Sequence, residues 1–195
     1  MLIYLIRHGE TVCNAEKRYQ GALDTPLSEH GRAALRQAKC SPEQVYVSPL
    51  QRAAETAEIL FPTAEKRTVP DLREMHFGRF EGRSYLEMEY DRDYRIWVDG
   101  GCAGSCPGGE SRGEFAHRTC AAFRQLVDDA LQAGEKLLVI VAHGGTQMAV
   151  LERWASQKRD YWQWNARPGA GYVLDAARWP ETLELVGEVS YTKEI

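Results

Sequence analysis

The sequence predicts an α/β fold, a three-layer sandwich with a mostly parallel central sheet, helices on both faces and a lid-like insertion at about residues 76–112. Three observations lead there. Short apolar runs alternate along the chain with stretches of helical period, the order expected of strands joined by crossover helices. The runs are continuous rather than alternating, which marks strands covered on both faces. The first and the strongest of them each stop at a histidine.

Taken in order, Leu2 to Ile6 reads as a buried strand that ends at Arg7-His8-Gly9-Glu10. Ser28 is an expected N-cap for a helix over Glu29 to Lys39. Val45 to Val47 reads as a short strand. The following Ser48-Pro49 reads as an N-cap with proline at the first helical position, opening a helix that runs to Leu60. Ala116, Cys120, Phe123, Val127 and Ala130 share one helical face, so residues 112–133 form a long amphipathic helix closed by Gly134. Leu137 to Ala142 is the strongest strand, and it runs into His143-Gly144-Gly145; a helix over Thr146 to Ser156 follows. Weaker strands are expected at Arg67 to Val69, Tyr172 to Asp175 and Leu183 to Val189. From Tyr85 to Glu110, aromatics mixed with charges give way to a glycine-rich run; this is the heart of the insertion, expected to be partly helical and to cover a site.

Composition narrows the partners. The 195 residues carry 24 Lys plus Arg against 28 Asp plus Glu, a net charge of −4, and are 44% hydrophobic and 27% charged. That balance suits a globular domain and lacks the diffuse positive charge that binding to nucleic acid or an anionic membrane needs. An anionic substrate would require a local cluster of cations. The apolar start, five residues before Arg7, is too short for a signal-peptide core or a span. Five irregularly spaced cysteines do not suggest a disulfide framework, so a reducing cytoplasm is expected.

Ligands bind beyond the carboxyl ends of the strands in such sheets, and two strands here present histidines at that edge. Arg7 beside His8 disfavours the imidazolium and leaves a neutral, nucleophilic ring. Arg52 enters from the first turn of the helix after Val47, near unpaired helix N–H groups. Two guanidiniums and two imidazoles gathered there would hold one phosphoryl group. Rival signatures fare worse. His8-Gly9-Glu10 matches part of a zinc deaminase motif, but no P-C-x-x-C follows; H-E-x-x-H, a P-loop and a strand-following G-x-G-x-x-G are all absent. Cys106-Pro107-Gly108-Gly109-Glu110-Ser111-Arg112 fits the C-x-x-G-x-x-R loop of cysteine-dependent phosphatases, yet no buried strand precedes it and Glu110 would put an anion in the cradle.

At Leu5-Ile6-Arg7-His8-Gly9-Glu10-Thr11 the chain resembles the histidine phosphatase superfamily, the phosphoglycerate mutase-like proteins. The resemblance continues through Asn14, Arg18 to Gly21, Thr25 to Gly31, Ser48 to Ala57, Leu72 to Gly78 with Glu81-Gly82, and Ala142 to Gly145. It implies one domain over 1–195 and a metal-independent, cofactor-free phosphoric monoester hydrolase. His8 would become the phosphohistidine, Glu74 would give and take the proton, and Arg7, Arg52 and His143 would bind phosphoryl oxygens. Thr11, Asn14, Gln20, Gly21 and Gly144 would complete the phosphate site. The compact interval from Glu74 to His143, the Trp97 region and Pro107 to Ser111 look like the small phosphatases, the alpha-ribazole phosphatases most of all. Broad-specificity and sugar-phosphate phosphatases, longer mutases and non-catalytic phospho-ligand binders remain the alternatives. The aromatics Tyr85, Tyr90, Trp97, Tyr161, Trp162 and Trp164 are candidates to stack on a planar base. The expected partner is a small phosphate ester, with no nucleic acid and no membrane; a homodimer is left open.

Overall fold

In a computed structural model, described over residues 1–193, six strands form one sheet in the order β3-β2-β4-β1-β5-β6. They are β1 (Leu2–Arg7), β2 (Gln44–Val47), β3 (Glu65–Thr68), β4 (Leu137–Ala142), β5 (Ala170–Asp175) and β6 (Glu184–Ser190). β1 to β4 pair in parallel; β5 runs antiparallel to both β1 and β6. The helices are α1 (Val12–Ala15), α2 (Glu29–Ala34), α3 (Gln51–Leu60), α4 (Arg92–Asp99), α5 (Arg112–Gln132) and α6 (Gly144–Trp154).

The continuous apolar run of β4 follows from the layers on either side. Leu138, Ile140 and Ala142 point into a core shared with Phe115, Phe123 and Val127 of α5 and Val150 and Leu151 of α6. Val139 and Val141 point the other way, onto Ala53, Ala57 and Leu60 of α3. Successive side chains of a strand face opposite sides, so a strand between two helical layers has no solvated position. The three-layer fold class is the one expected.

Several boundaries differ from the expectation. α2 stops at Ala34 instead of Lys39, because Leu35 turns to extended backbone (ψ 149°) and bridges Thr192, while Arg36 N–H donates to Tyr191 O at 2.9 Å. Pairing with the chain's end outcompetes the helical propensity of Arg36 to Lys39. α3 opens at Gln51, and Ser48 is not its cap: the N-cap is Leu50, which offers no side-chain bond. The helix is capped from a distance, Gln51 N–H donating to Asp24 Oδ1 at 2.7 Å, an anion at the positive end of the helix. α6 begins directly after His143, two residues earlier than expected. In the insertion, α4 is capped by Asp91, which accepts from Asp93 N and Tyr94 N, and it buries Tyr94 and Trp97.

Candidate active site

β1 and β4 pair in register, Arg7 opposite Ala142, so the residues that follow each strand emerge side by side. His8 N–H donates to Ala142 O at 3.0 Å, and the His8 and His143 rings lie 5.2 Å apart at 62°. His8 is buried, and its Nδ1 is 2.6 Å from Gly9 O. A carbonyl only accepts, so Nδ1 carries the proton and Nε2 keeps its lone pair. Burial, then Arg52 and Arg7, hold the His8 imidazole well below the usual histidine range; the Gly9 bond opposes them only in part. The backbone beyond is pinned to α3, Gly9 N–H donating to Thr56 Oγ1 at 2.9 Å.

The two arginines reach this point by different routes. Arg7 is anchored by Nη1 to Asn165 Oδ1 (2.9 Å) and Ala166 O (2.8 Å). Arg52 is 1% exposed and donates to Leu23 O at 3.0 Å and Gly21 O at 2.7 Å. Burial lowers Arg52 to about 10, which leaves it cationic at neutral pH. Burial lowers Arg7 as well, and the charge of Glu74 opposes that shift. Among the described residues, Nε of both arginines and Nδ1 of His143 are buried without a hydrogen-bond partner. Three orphaned polar atoms in one cluster are costly to fold and mark a site built for a ligand.

Glu74 comes from the connection after β3, past a 3-10 turn at Pro70–Leu72. Arg118 of α5 fixes that segment by donating to the carbonyls of Asp71, Arg73 and Glu74 at 2.9, 2.9 and 3.0 Å, and to both Glu110 oxygens at 2.7 Å. Glu74 accepts from Met75 N at 2.9 Å and from Gly145 N, at the start of α6, at 3.1 Å. A side chain at Gly145 would collide with this carboxylate, and one at Gly144 with Asn165. The glycine pair lets the acid and the Arg7 anchor approach the helix.

Arg7, His8, Asn14, Gln20, Gly21, Arg52, Glu74 and Gly144 line one cavity of about 250 Å³. Gly21 adopts a positive φ of 53°, where an added side chain would also meet Glu81. Thr11 is not part of the lining. Its buried hydroxyl is spent on Gln20 Oε1 (2.8 Å) and Asn14 Oδ1 (3.1 Å), so it acts behind the wall by fixing two residues that do line it. His143 is absent from that lining as well: it is fully buried, with its ring against His8, which does line the cavity.

Other residues at the site were beyond the sequence reading. Asn165 carried no signal at all. Gln147 donates to Leu5 O at 3.0 Å and accepts from Ala166 N at 3.2 Å, which ties the Arg7 anchor to β1. Ser48 hydrogen-bonds His143 Nε2 at 2.7 Å. The neighbouring Pro49 suggests a cap for Ser48, but the place of Ser48 after β2, beside β4, sends its hydroxyl to the histidine instead.

A second pocket of about 120 Å³ shares Tyr19, Glu74, Phe77, Gly145, Met148 and Trp162 with the first. Met75, Tyr161 and, from the insertion, Trp97, Cys102 and Arg112 complete it, with the Arg112 guanidinium 4.9 Å from the Tyr161 ring centre. The candidate aromatics therefore divide. Trp97, Tyr161 and Trp162 face this pocket; Trp164 is buried against Tyr172, and Tyr85 and Tyr90 are exposed elsewhere. Cys106 lines neither pocket, and burial pushes its thiol up to about 12, which suits packing rather than nucleophilic attack. Glu110 turns to Arg118 and His76 N, so Cys106 to Arg112 forms no anion cradle. Among the described residues no group of three or more His, Cys, Asp or Glu could hold a metal ion, and no helix is long and apolar enough to cross a membrane.

Comparison with known proteins gives a consistent family. Residues 3–188 match the family model of the histidine phosphatase superfamily (branch 1). Phosphoglycerate mutase-like protein 4 of Arabidopsis thaliana is 32% identical over 98% of this chain and 87% of its own. Glucosyl-3-phosphoglycerate phosphatase of Mycolicibacterium vanbaalenii is 33% identical over 82% of this chain and 76% of its own. The crystal structure of the alpha-ribazole phosphatase from Shigella flexneri superposes with a TM-score of 0.81 over 100% of this chain and 99% of that one, at 24% identity. With paired histidines at adjacent parallel strand ends and a match over nearly its whole length, the chain belongs to the histidine phosphatase superfamily, whose members carry out phosphatase or mutase-type catalysis.

Proposed function

We propose that the protein is a metal-independent phosphomonoester hydrolase that works through a phosphohistidine on His8. The observation that carries this reading is the unshared Nε2 of a neutral, buried His8 set between two cationic guanidiniums, with Glu74 on the same cavity. Nε2 attacks phosphorus as the bond to the ester oxygen breaks, and Glu74 gives its proton to the departing alkoxide. The resulting Glu74 carboxylate then takes a proton from water, which attacks phosphorus and breaks the N–P bond, releasing phosphate and restoring His8. Arg7, Arg52 and His143, with Asn14, Gln20, Gly21 and Gly144 around them, stabilise the oxygens during each transfer.

For the substrate we propose alpha-ribazole 5'-phosphate, placing the enzyme in cobalamin biosynthesis in the cytoplasm, where five free cysteines are at home. The support is the Pro107 to Ser111 stretch and the aromatic pocket beyond Glu74, on the side where the leaving alcohol departs; a planar base suits Trp97, Tyr161 and Trp162. The 33% identity to a glucosyl-3-phosphoglycerate phosphatase favours a sugar-phosphate ester as the second reading.

A panel of esters, with chelator present, compares kcat/KM for alpha-ribazole 5'-phosphate, sugar phosphates, 3-phosphoglycerate and an aryl phosphate. Alpha-ribazole 5'-phosphate is expected to lead by at least about tenfold, the effect of 1.4 kcal/mol of stacking. Dominant mutase turnover of 3-phosphoglycerate, or loss of all turnover to the chelator, would overturn the hydrolase.

A further inference from the structure

Ser48 has no part in the scheme above, yet it is fully buried and makes the shortest polar contact to His143. Its hydroxyl oxygen accepts from Leu50 N–H at 3.3 Å. Among the described residues, the partner left for the hydroxyl proton is His143 Nε2, 2.7 Å away. Two arrangements are open to this neutral pair. With the imidazole proton on Nδ1, Ser48 donates to Nε2, and one buried polar atom, Nδ1–H, lacks a partner. With the proton on Nε2, the ring donates to Ser48, and both the hydroxyl proton and Nδ1 are orphaned. Each buried polar group left unpaired forfeits its hydration with no return, so the arrangement with one orphan prevails over the one with two.

We infer that Ser48 is a positioning residue: it locks His143 in the Nδ1–H tautomer, so that the ring presents a hydrogen-bond donor to a phosphoryl oxygen beside His8. The inference rests on the phosphohistidine reading for its catalytic consequence, though not for the tautomer itself.

Both histidines then carry their proton on Nδ1, with opposite effect. Gly9 O occupies the proton of His8 and frees a lone pair at Nε2, which makes a nucleophile. Ser48 occupies the lone pair of His143 and frees an N–H at Nδ1, which makes a donor. One acceptor and one donor, placed on rings 5.2 Å apart, assign two chemically identical side chains to different work. Burial, with Arg52, His8 and Arg7 nearby, holds His143 well below the usual histidine range, so the ring is neutral and its tautomer has consequences.

The test combines ring ¹⁵N NMR with kinetics on the full chain. In the parent protein, with His143 assigned by its loss in His143→Gln, Nε2 is expected at the shift of a bare, hydrogen-bonded nitrogen and Nδ1 at that of a protonated one. Ser48→Ala should move the pair toward the Nε2–H form or a mixture, and lower kcat/KM on an aryl phosphate about 10- to 100-fold, the range for outer partners that orient histidines. Ser48→Thr, which keeps the hydroxyl, should restore both readouts toward the parent. A protonated Nε2 in the parent overturns the inference. So does Ser48→Ala with an unchanged tautomer, whatever its rate, or with an altered tautomer and an unchanged rate. Failure to trap phosphate on His8 in the parent would sink the phosphohistidine reading separately, while the ring nitrogens still report on Ser48.

Discussion

The inner end of the site and its outer wall are built on different principles. At the strand ends, Arg7, His8, Arg52 and His143 sit in a polar cluster where each group is aimed by a specific hydrogen bond, to Asn165, Gly9 O, Gly21 O and Ser48. The wall, built from the insertion and the Tyr161–Trp164 turn, is held by aromatic packing. Trp97 meets Tyr19, Phe77 and Phe80 with ring centres 5.7, 6.1 and 5.6 Å apart, and its indole N–H is tied to Gly104 O. The first region is directional and tolerates little change; the second is a surface whose shape matters more than any one atom. Reaction type should therefore depend on the inner end and choice of substrate on the wall.

The sharpest way to break this contrast is at the nucleophile. His8→Ala is expected to lower kcat on an aryl phosphate by at least about 10⁴-fold, as removal of a member of a cooperating catalytic unit does, with no trapped phosphoenzyme. Cys106→Ser, away from both pockets, should retain turnover within about threefold. If the cysteine change were the lethal one, the assignment of the two regions would be reversed.

A smaller effect tests the wall. Trp162, half exposed and shared by the two pockets, can be cut back without opening the core. Trp162→Ala should raise KM for a substrate with a planar aromatic leaving group about 3- to 10-fold, the worth of one stacking partner, and leave kcat for a small alkyl phosphate nearly unchanged. An equal loss on both substrates would mean that the wall also shapes the reacting centre.

The joint between the regions should appear as a stability effect. Glu110, at the end of the insertion, is bound by Arg118 and His76 N–H, and Arg118 also holds the Glu74 segment. Burial raises the Glu110 carboxyl, but those bonds outweigh it and the net shift is downward. A carboxylate depressed in the folded state contributes stability above its unfolded value, and that contribution is lost as pH falls through the lower, folded value. Glu110→Gln is thus expected to cost about 1–3 kcal/mol at neutral pH and to flatten the acid limb of a stability–pH curve measured by urea unfolding. An unshifted acid limb would remove Glu110 from that role.

The two regions also differ in how far the sequence disclosed them. β1, β4 and the histidines that end them were legible because a buried strand needs an unbroken apolar run and a functional strand end interrupts it abruptly. α5 was legible from its helical period, and its Ser111–Glu114 capping box agrees with that reading. Within an insertion expected to be partly helical, the bounds of α4 cannot be read, because its two buried residues, Tyr94 and Trp97, are too few to set a period among charges. Asn165 and Gln147 could not be recognised, since an amide is a common surface residue until a fold places an arginine or a carbonyl against it.

The sequence by itself determined the layered fold, the placing of His8 and His143 at one edge of the sheet, and the family, because these follow from local periodicity and from motifs read in order. Only the tertiary structure decided that β1 and β4 are neighbours, which nitrogen His143 keeps free, which aromatics face the pocket, and that Ser48 works through its neighbour. Those outcomes depend on hydrogen bonds and packing between residues far apart in the chain, such as Ser48 with His143 and Arg7 with Asn165, and no local pattern encodes such contacts.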